Sequence, residues 1–423
     1  MEYSVKFDYQ DISQACVKCA KCIPTCTIHI ANGDEATSPR GFLDLIGAYD
    51  RGELELDKNT KKIFESCFLC TNCVEVCPND LPVDRMIENV RNDLREKFGL
   101  AWYKKLFFFL LRHRKIMDFM SKLGYVFQTC GFKIKEAGMK PRFSFPLIKK
   151  NRLLPSAMKK SFLNSHPEII ENGGKQKVGI FIGCMANYSY TSIGESLLDI
   201  FKELQIDAHL MKAQLCCSAP AYFTGDFKTT EYLAKYNIEY LEKQTKDLDA
   251  VIIPEATCSA MIKVDYPHFF EQNPEWKARA ENINKKIFMA TEWLHANTEI
   301  KSILEQKGKS SDIVTYHDPC HARKMQGIYQ EPRDLISQNY VMKNMSNSNA
   351  CCGFGGVTTQ VENHEYAKVV GKIKADMIEE TNADVVSAEC SACRMQINDS
   401  MDRAELKTKF RNPIELIAKA LKS

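Results

Sequence analysis

The chain has 423 residues, a net charge of +3, and is 44% hydrophobic and 26% charged, the makeup of a soluble protein with room for two to four domains. Its 18 cysteines are out of proportion to that makeup. Disulfide scaffolds belong to short secreted chains, and "MEYSVKFDYQDISQ" lacks the basic start and apolar core of a signal peptide, so clustered reduced thiols holding metal are the expectation.

Cys16, Cys19, Cys22 and Cys26 form a C-x2-C-x2-C-x3-C run that recurs at Cys67, Cys70, Cys73 and Cys77, with Pro78 directly after the second copy. In the bacterial ferredoxin pattern three close thiolates hold one corner of a 4Fe-4S cubane and the fourth reaches the other cluster. By that crossing rule Cys16, Cys19, Cys22 and Cys77 hold one cluster, and Cys67, Cys70, Cys73 and Cys26 hold the second. Zinc competes, but its sites favour separated C-x2-C pairs. Thr27 stands where proline often follows the first run, a departure expected to alter only the local backbone path. Between the runs, Phe42, Leu45 and Ile46 have helical spacing behind Pro39 and Gly41, which predicts an α-helical ferredoxin-like module over 1–100.

Residues 101–160 carry fifteen Lys or Arg against Asp118 and Glu136, a local charge of +13. Within 101–175, a basic linker, "AWYKKLFFFLLRHRKIMDFM" sets Phe107, Phe108, Phe109, Leu110 and Leu111 among Lys104, Lys105, Arg112, Arg114 and Lys115. It is too short and too charged to span a bilayer. Two readings stand: an amphipathic helix lying on an anionic membrane surface, or a linker helix whose phenylalanines pack on the ferredoxin module. No nucleic-acid-binding module accompanies the charge, so no nucleic-acid partner is expected. Cys130 stands alone and reads as a semi-buried inert thiol.

Beyond residue 175 the chain repeats. "KVGIFIGCMANYSY", "LCCSAP" and "DAVIIPEATCSAM" are followed in the same order by "DIVTYHDPCHARK", "ACCGFGG" and "ADVVSAECSACRM", at offsets of 136, 135 and 132 residues between matching cysteines. The duplication predicts two α/β domains, 176–305 and 306–423, each with a largely parallel sheet. Ligands bind such sheets beyond the strand ends, where the cysteines would converge. "GFGG" lacks the Lys-Ser/Thr of a phosphate loop and no flavin-binding fingerprint appears, so the chain has no visible means of starting hydride chemistry alone.

The two ferredoxin runs followed by two copies of C...CC...C-x2-C resemble the iron-sulfur subunits of membrane-associated flavin dehydrogenases, most nearly that of anaerobic glycerol-3-phosphate dehydrogenase. The glycolate oxidase iron-sulfur subunit and the cysteine-rich subunit of heterodisulfide reductase are relatives. "SPRG", "YHDPCH", "CCGFGG" and "ECSACRMQI...NPIELIAKAL" carry the likeness across nearly the whole chain.

The resemblance implies an α+β multidomain protein: an α-helical ferredoxin-like module with two cubanes, then two α/β cysteine-rich (CCG) domains holding one or two further clusters of a non-cubane type. Cys320, Cys351, Cys352, Cys390 and Cys393 match the complete second motif, with Gly353, Gly355 and Gly356 letting backbone amides approach cluster sulfur. Cys184, Cys216, Cys217 and Cys258 match the first, with Met261 in place of the last cysteine and Ser218 in place of a glycine. His317 and His321 flank Cys320. They read as packed or solvated side chains, or as donors to cluster sulfur. The implied partners are a flavoprotein dehydrogenase subunit and a quinone or membrane anchor, at the inner face of the cytoplasmic membrane, in an electron-transfer role. A catalytic role in reducing a disulfide or quinone at the non-cubane cluster is the alternative, and a zinc scaffold the third.

Overall fold

The computed structural model describes residues 7–149 and 151–423. The first six residues of the segment read for a signal peptide, and Lys150 of the basic run, lie outside them.

The N-terminal module is built of short helices: α1 (Tyr9–Gln14), α2 (Thr27–Asn32), α3 (Pro39–Asp50), α4 (Lys58–Glu65), α5 (Asn72–Glu75) and α6 (Val83–Phe98). Local chemistry sets their starts. Ser38 caps α3 by accepting from Gly41 N, with Pro39 in the first turn, and Asp57 and Thr60 form a capping box on α4. Phe42 and Ile46 of α3 are buried against Phe64, Met86 and Val90, as their spacing predicts; Leu45 is only partly covered.

The 101–175 segment is more structured than a linker. α7 (Trp102–Arg112) and α8 (Arg114–Gly131) lead into a β-hairpin of β1 (Phe132–Lys135) and β2 (Gly138–Pro141). Phe108 and Leu111 pack into the core of the first cysteine-rich unit, not onto the ferredoxin module as one of the two readings has it. Lys104 is no membrane-facing charge: it is buried, 2.9 Å from Glu362 and 3.8 Å from Glu65. Cys130, expected half-buried, is exposed. Among the described residues no helix is long and apolar enough to cross a membrane.

The duplication is plain in the sheets. The first contains β3 (Ile169–Ile170), β4 (Lys177–Ile180), β5 (Asp207–Leu210), β6 (Ala250–Ile253) and β7 (Ile287–Met289) in the order β3-β5-β4-β6-β7. The second contains β8 (Ile313–Tyr316), β9 (Val341–Met342), β10 (Val385–Ser387) and β11 (Lys409–Arg411) in the order β11-β10-β8-β9. Apart from β3, an antiparallel edge strand drawn from the expected linker, every pairing is parallel and the two orders are the same. The central strands are buried along their length, as parallel strands covered on both faces must be. One apolar core joins the units: Ile193, Leu197 and Ile200 on the helix Ser192–Glu203 meet Ile414 and Ile417 on the helix Pro413–Leu421.

Candidate metal centres

The two N-terminal cysteine loops have the same backbone shape. Lys18 and Ala20 in the first, and Leu69 and Thr71 in the second, occupy the left-handed region (φ 50–62°), each at the same offset from its run's first cysteine. Non-glycine residues rarely adopt that conformation, and repeating it in tandem curls each loop around its sulfurs. Leu69 N lies 3.4 Å from Cys67 Sγ, an amide donating to a prospective ligand.

One crevice is lined by Cys16, Cys19, Cys22, Cys73 and Cys77, and another by Cys26, Cys67, Cys70 and Cys73. Cys77 thus lies with the first run and Cys26 with the second, as the crossing rule expects, while Cys73 borders both crevices. Burial pushes Cys26 up to about 12 and Cys67 up to about 11, a cost that a bound cation removes by stabilising the thiolates. Thr27 does more than bend the backbone, for its Oγ1 lies 3.1 Å from Cys70 Sγ.

In the second unit Cys320 and Cys390 stand three or four residues beyond the C-terminal ends of β8 and β10, Cys393 follows in the first turn of the next helix, and Cys351 and Cys352 come in on the longer loop after β9. Cys352 and Cys393 sulfurs are 3.4 Å apart, and Gly353 N donates to Cys351 Sγ at 3.3 Å. Gly355, at φ 61°, also packs against the dicluster side, where a Cβ would come within 2.8 Å of Phe68. The side-chain contact from Cys351, then that from Cys393, lowers Cys352 to about 5, and the contact with Cys393 lowers Cys390 to about 6. The same contacts hold Cys351 and Cys393 above the usual thiol range, and burial raises Cys320, so charge settles on Cys352 and Cys390 and a bound cation is what would stabilise the full set of thiolates. Lys374, 1% exposed, donates to Asn347 O at 3.0 Å close to Cys351 and Cys352, and burial lowers it to about 8.

In the first unit Cys184, Cys216, Cys217 and Cys258 also converge, Cys216 on Cys184 and Cys217, and Cys217 on Cys258. Gly183 keeps the space open, since a Cβ there would lie 3.1 Å from Cys258 Sγ. Met261 is fully buried in the apolar core at the start of a π-turn, Met261–Asp265. All 18 cysteines are free thiols.

The sets are neighbours. Cys70 of the N-terminal module lies within hydrogen-bonding reach of Cys351, and Lys324 Nζ reaches across to Cys70 O at 3.1 Å and to Asn72 Oδ1. Arg91, fully buried, donates to Phe64 O, to Cys67 O at 2.7 Å and to Phe223 O at 2.7 Å, tying α6 to the first unit. Between the units, His321 Nδ1 is 3.4 Å from Cys320 Sγ, its ring stacks on Phe223, and Thr257 Oγ1 is 3.5 Å from Cys390 Sγ. Two buried glutamates pin the repeats together. Glu255 accepts from Ser391 N at 2.8 Å, and Glu389 accepts from Thr291 N at 3.2 Å. Sequence reading missed Arg91, Lys324, Thr257 and Lys374, whose contacts run across domains. Only Lys324, one helical turn after Cys320, carried a local signal.

The donor sets, dominated by sulfur and gathered four or five thiols at a time, suit iron-sulfur clusters. Residues 15–82 match the model of the 4Fe-4S dicluster domain, and residues 178–263 and 314–398 each match that of the cysteine-rich (CCG) domain. The chain carries one 4Fe-4S dicluster domain and two CCG domains. Over 416 residues it is 26% identical to the probable glycolate oxidase iron-sulfur subunit of Bacillus subtilis, covering 94% of this chain and 90% of the relative. Over 421 residues it is 28% identical to one subunit of the fumarate reductase (CoM/CoB) of Methanothermobacter marburgensis, covering 97% and 73%. Lactate utilization protein A of Bacillus cytotoxicus is 27% identical over 244 residues, 57% of this chain and 98% of that protein. A crystal structure of a hypothetical protein from Helicobacter pylori shares the fold with a TM-score of 0.57 at 12% identity, covering 99% of this chain and 74% of that one. The CCG domains are the two α/β units, and the dicluster domain spans both ferredoxin runs.

Proposed function

We propose that this chain is the iron-sulfur electron-transfer subunit of an oxidoreductase complex, taking electrons from a separate flavin dehydrogenase and delivering them toward membrane quinone. The observation that carries the reading is the placement of Cys70 beside Cys351, which sets a dicluster ligand set against that of the second CCG site. In this reading Cys16, Cys19, Cys22 and Cys77 hold one cubane; Cys26, Cys67, Cys70 and Cys73 hold the other; Cys320, Cys351, Cys352, Cys390 and Cys393 hold a non-cubane cluster. Cys184, Cys216, Cys217 and Cys258 form a four-thiolate fourth site. Bound clusters supply one-electron chemistry, at potentials set by charge, hydrogen bonds to sulfur and exposure. The protein's own part is to hold the sets adjacent: Lys324 fixes the dicluster loop on the second CCG domain, and Arg91 fixes α6 on the first.

The donor is a small hydroxy acid such as glycolate or lactate, in keeping with the names of two relatives, or glycerol 3-phosphate, in keeping with the resemblance of the motifs. Its pocket belongs to the flavoprotein partner. The α7–α8 hairpin is the membrane-facing surface in this reading. Ile116, Phe119, Met120, Leu123, Val126 and Phe127 line one exposed stripe of α8 at helical spacing, flanked by exposed Lys115 and Lys122. Arg114 is held instead by Asp118 and Gln214 O, and Arg112 lies over the Tyr232 ring.

A second reading, reduction of a disulfide or quinone at the second CCG site, draws on the fumarate reductase (CoM/CoB) relative and on the way the two CCG sites flank His321. The core position of Met261 weighs against a matched pair of sites. Stopped-flow reoxidation of the anaerobically purified, reduced protein tests the disulfide form of this reading: oxidation by a menaquinone analogue and not by a disulfide is expected, and fast oxidation by a disulfide would favour the catalytic reading. Iron and sulfide too low to fill one four-iron cluster would reject both.

A further inference from the structure

His317 is the first residue beyond β8, and its backbone N–H continues the ladder by donating to Ser387 O at 2.9 Å. That bond fixes the ring's position beyond the strand end, in the edge of the sheet where the second CCG cysteines gather. The imidazole is 1% exposed. Its Nδ1 lies 3.2 Å from Ser348 O, and because a carbonyl can only accept, Nδ1 carries the proton. The lone pair therefore sits on Nε2, which is buried and has no hydrogen-bond partner. A buried acceptor left unmatched costs about 1–3 kcal/mol, so a sheet end that orients one calls for a ligand.

The surroundings name the ligand. A ring nitrogen of His317 and the sulfurs of Cys352 and Cys393 all lie within 4.8 Å of one another, the one such group of metal-binding side chains among the described residues. Nitrogen and sulfur donors bonded to one ion at about 2.0–2.3 Å fall at comparable mutual separations. A backbone carbonyl holding the far nitrogen is the usual device for presenting Nε2 to a metal. The first CCG domain has no counterpart: Phe181, at the matching position after β4, is buried in apolar core. The two copies therefore differ by more than Met261.

We propose that His317 Nε2 is a direct iron ligand of the cluster at the second CCG site, binding beside Cys352 and Cys393. This rests on the iron-sulfur reading of that site. A neutral imidazole contributes no negative charge, unlike a thiolate, and raises the potential of the iron it binds. The second site is thereby set apart from the first as the more readily reduced of the pair.

The test is pulsed EPR of the full, anaerobically reconstituted chain, in the redox state that makes the second site paramagnetic, with 14N- or 15N-histidine incorporated. A strongly coupled nitrogen that changes with the isotope is expected in the wild type. It should persist in His321→Gln and vanish in His317→Cys, a variant that keeps a donor for iron where His317→Ala sheds it. The midpoint potential of the second site should fall in His317→Cys while the dicluster signals stay in place. An iron-loaded wild type without coupled histidine nitrogen, or coupling that survives in His317→Cys, overturns the ligand assignment. A wild-type chain that takes up no iron at this site overturns the underlying reading instead.

Discussion

The thiol of Cys70, in the second ferredoxin run, lies within hydrogen-bonding reach of the thiol of Cys351, the first cysteine of the CCGFGG loop 281 residues later. The dicluster core continues through this contact into Val370 and Phe223 of the CCG domains, so the interface is apolar as well as sulfur-lined. Two prospective ligand sets are thus held side by side by packing as well as by polar contacts.

Replacing Cys351 with alanine should leave both dicluster EPR signals and remove that of the second CCG site, with Cys130→Ala as a silent control. Cys73→Ala should instead remove a dicluster signal. Electron delivery from reduced donor to a quinone analogue, followed by stopped flow, should collapse in both variants; undiminished delivery in Cys351→Ala would take the second CCG site out of the path.

Gly225→Ala should destabilise the protein without touching a cysteine. Gly225 has φ 82°, and a Cβ there would come within 2.4 Å of the Arg91 carbonyl carbon. The left-handed backbone alone costs a non-glycine residue about 1–2 kcal/mol. Thermal unfolding of the iron-loaded protein should shift downward by several degrees, and an unchanged midpoint would show that α6 does not bear on the first CCG domain there.

His364 gives the fold an acid sensitivity. Burial, and then the neighbouring Arg152, lower it to about 4, so it stays neutral in the folded protein while the unfolded chain takes up a proton near the ordinary value of 6.5. Below about 6.5 the unfolded state binds more protons, so stability is full above that pH and declines as the pH falls toward 4. His364→Gln should flatten this part of a urea-denaturation profile between pH 7 and 4; an identical slope in the variant would assign it to other groups.

Phe119→Asp combined with Val126→Asp should abolish flotation with vesicles containing anionic lipid while leaving the iron content unchanged, because both side chains are more than half exposed. Lys104 does not belong in a charge-neutralised test variant, since removing it would leave Glu362 and Glu65 without their buried cation. Equal flotation of the double aspartate variant would exclude α8 as a membrane surface.

The sequence by itself determined the cluster-binding character of this protein, the exchange of Cys26 and Cys77 between the two runs' crevices, the duplication and its parallel sheets. Those features are local: spacing of two or three residues fixes a loop around sulfur, and apolar runs such as Ala250–Ile253 and Val385–Ser387, a few residues before Cys258 and Cys390, fix the strands that precede them. Only the tertiary structure decided that Cys70 meets Cys351, that Thr27 touches Cys70, that Lys104 and Phe108 turn inward, and that a ring nitrogen of His317 lies within 4.8 Å of the Cys352 and Cys393 sulfurs. These pairings join residues tens to hundreds of positions apart, and each is fixed by the summed packing of whole domains. No spacing within a short stretch of chain encodes that sum.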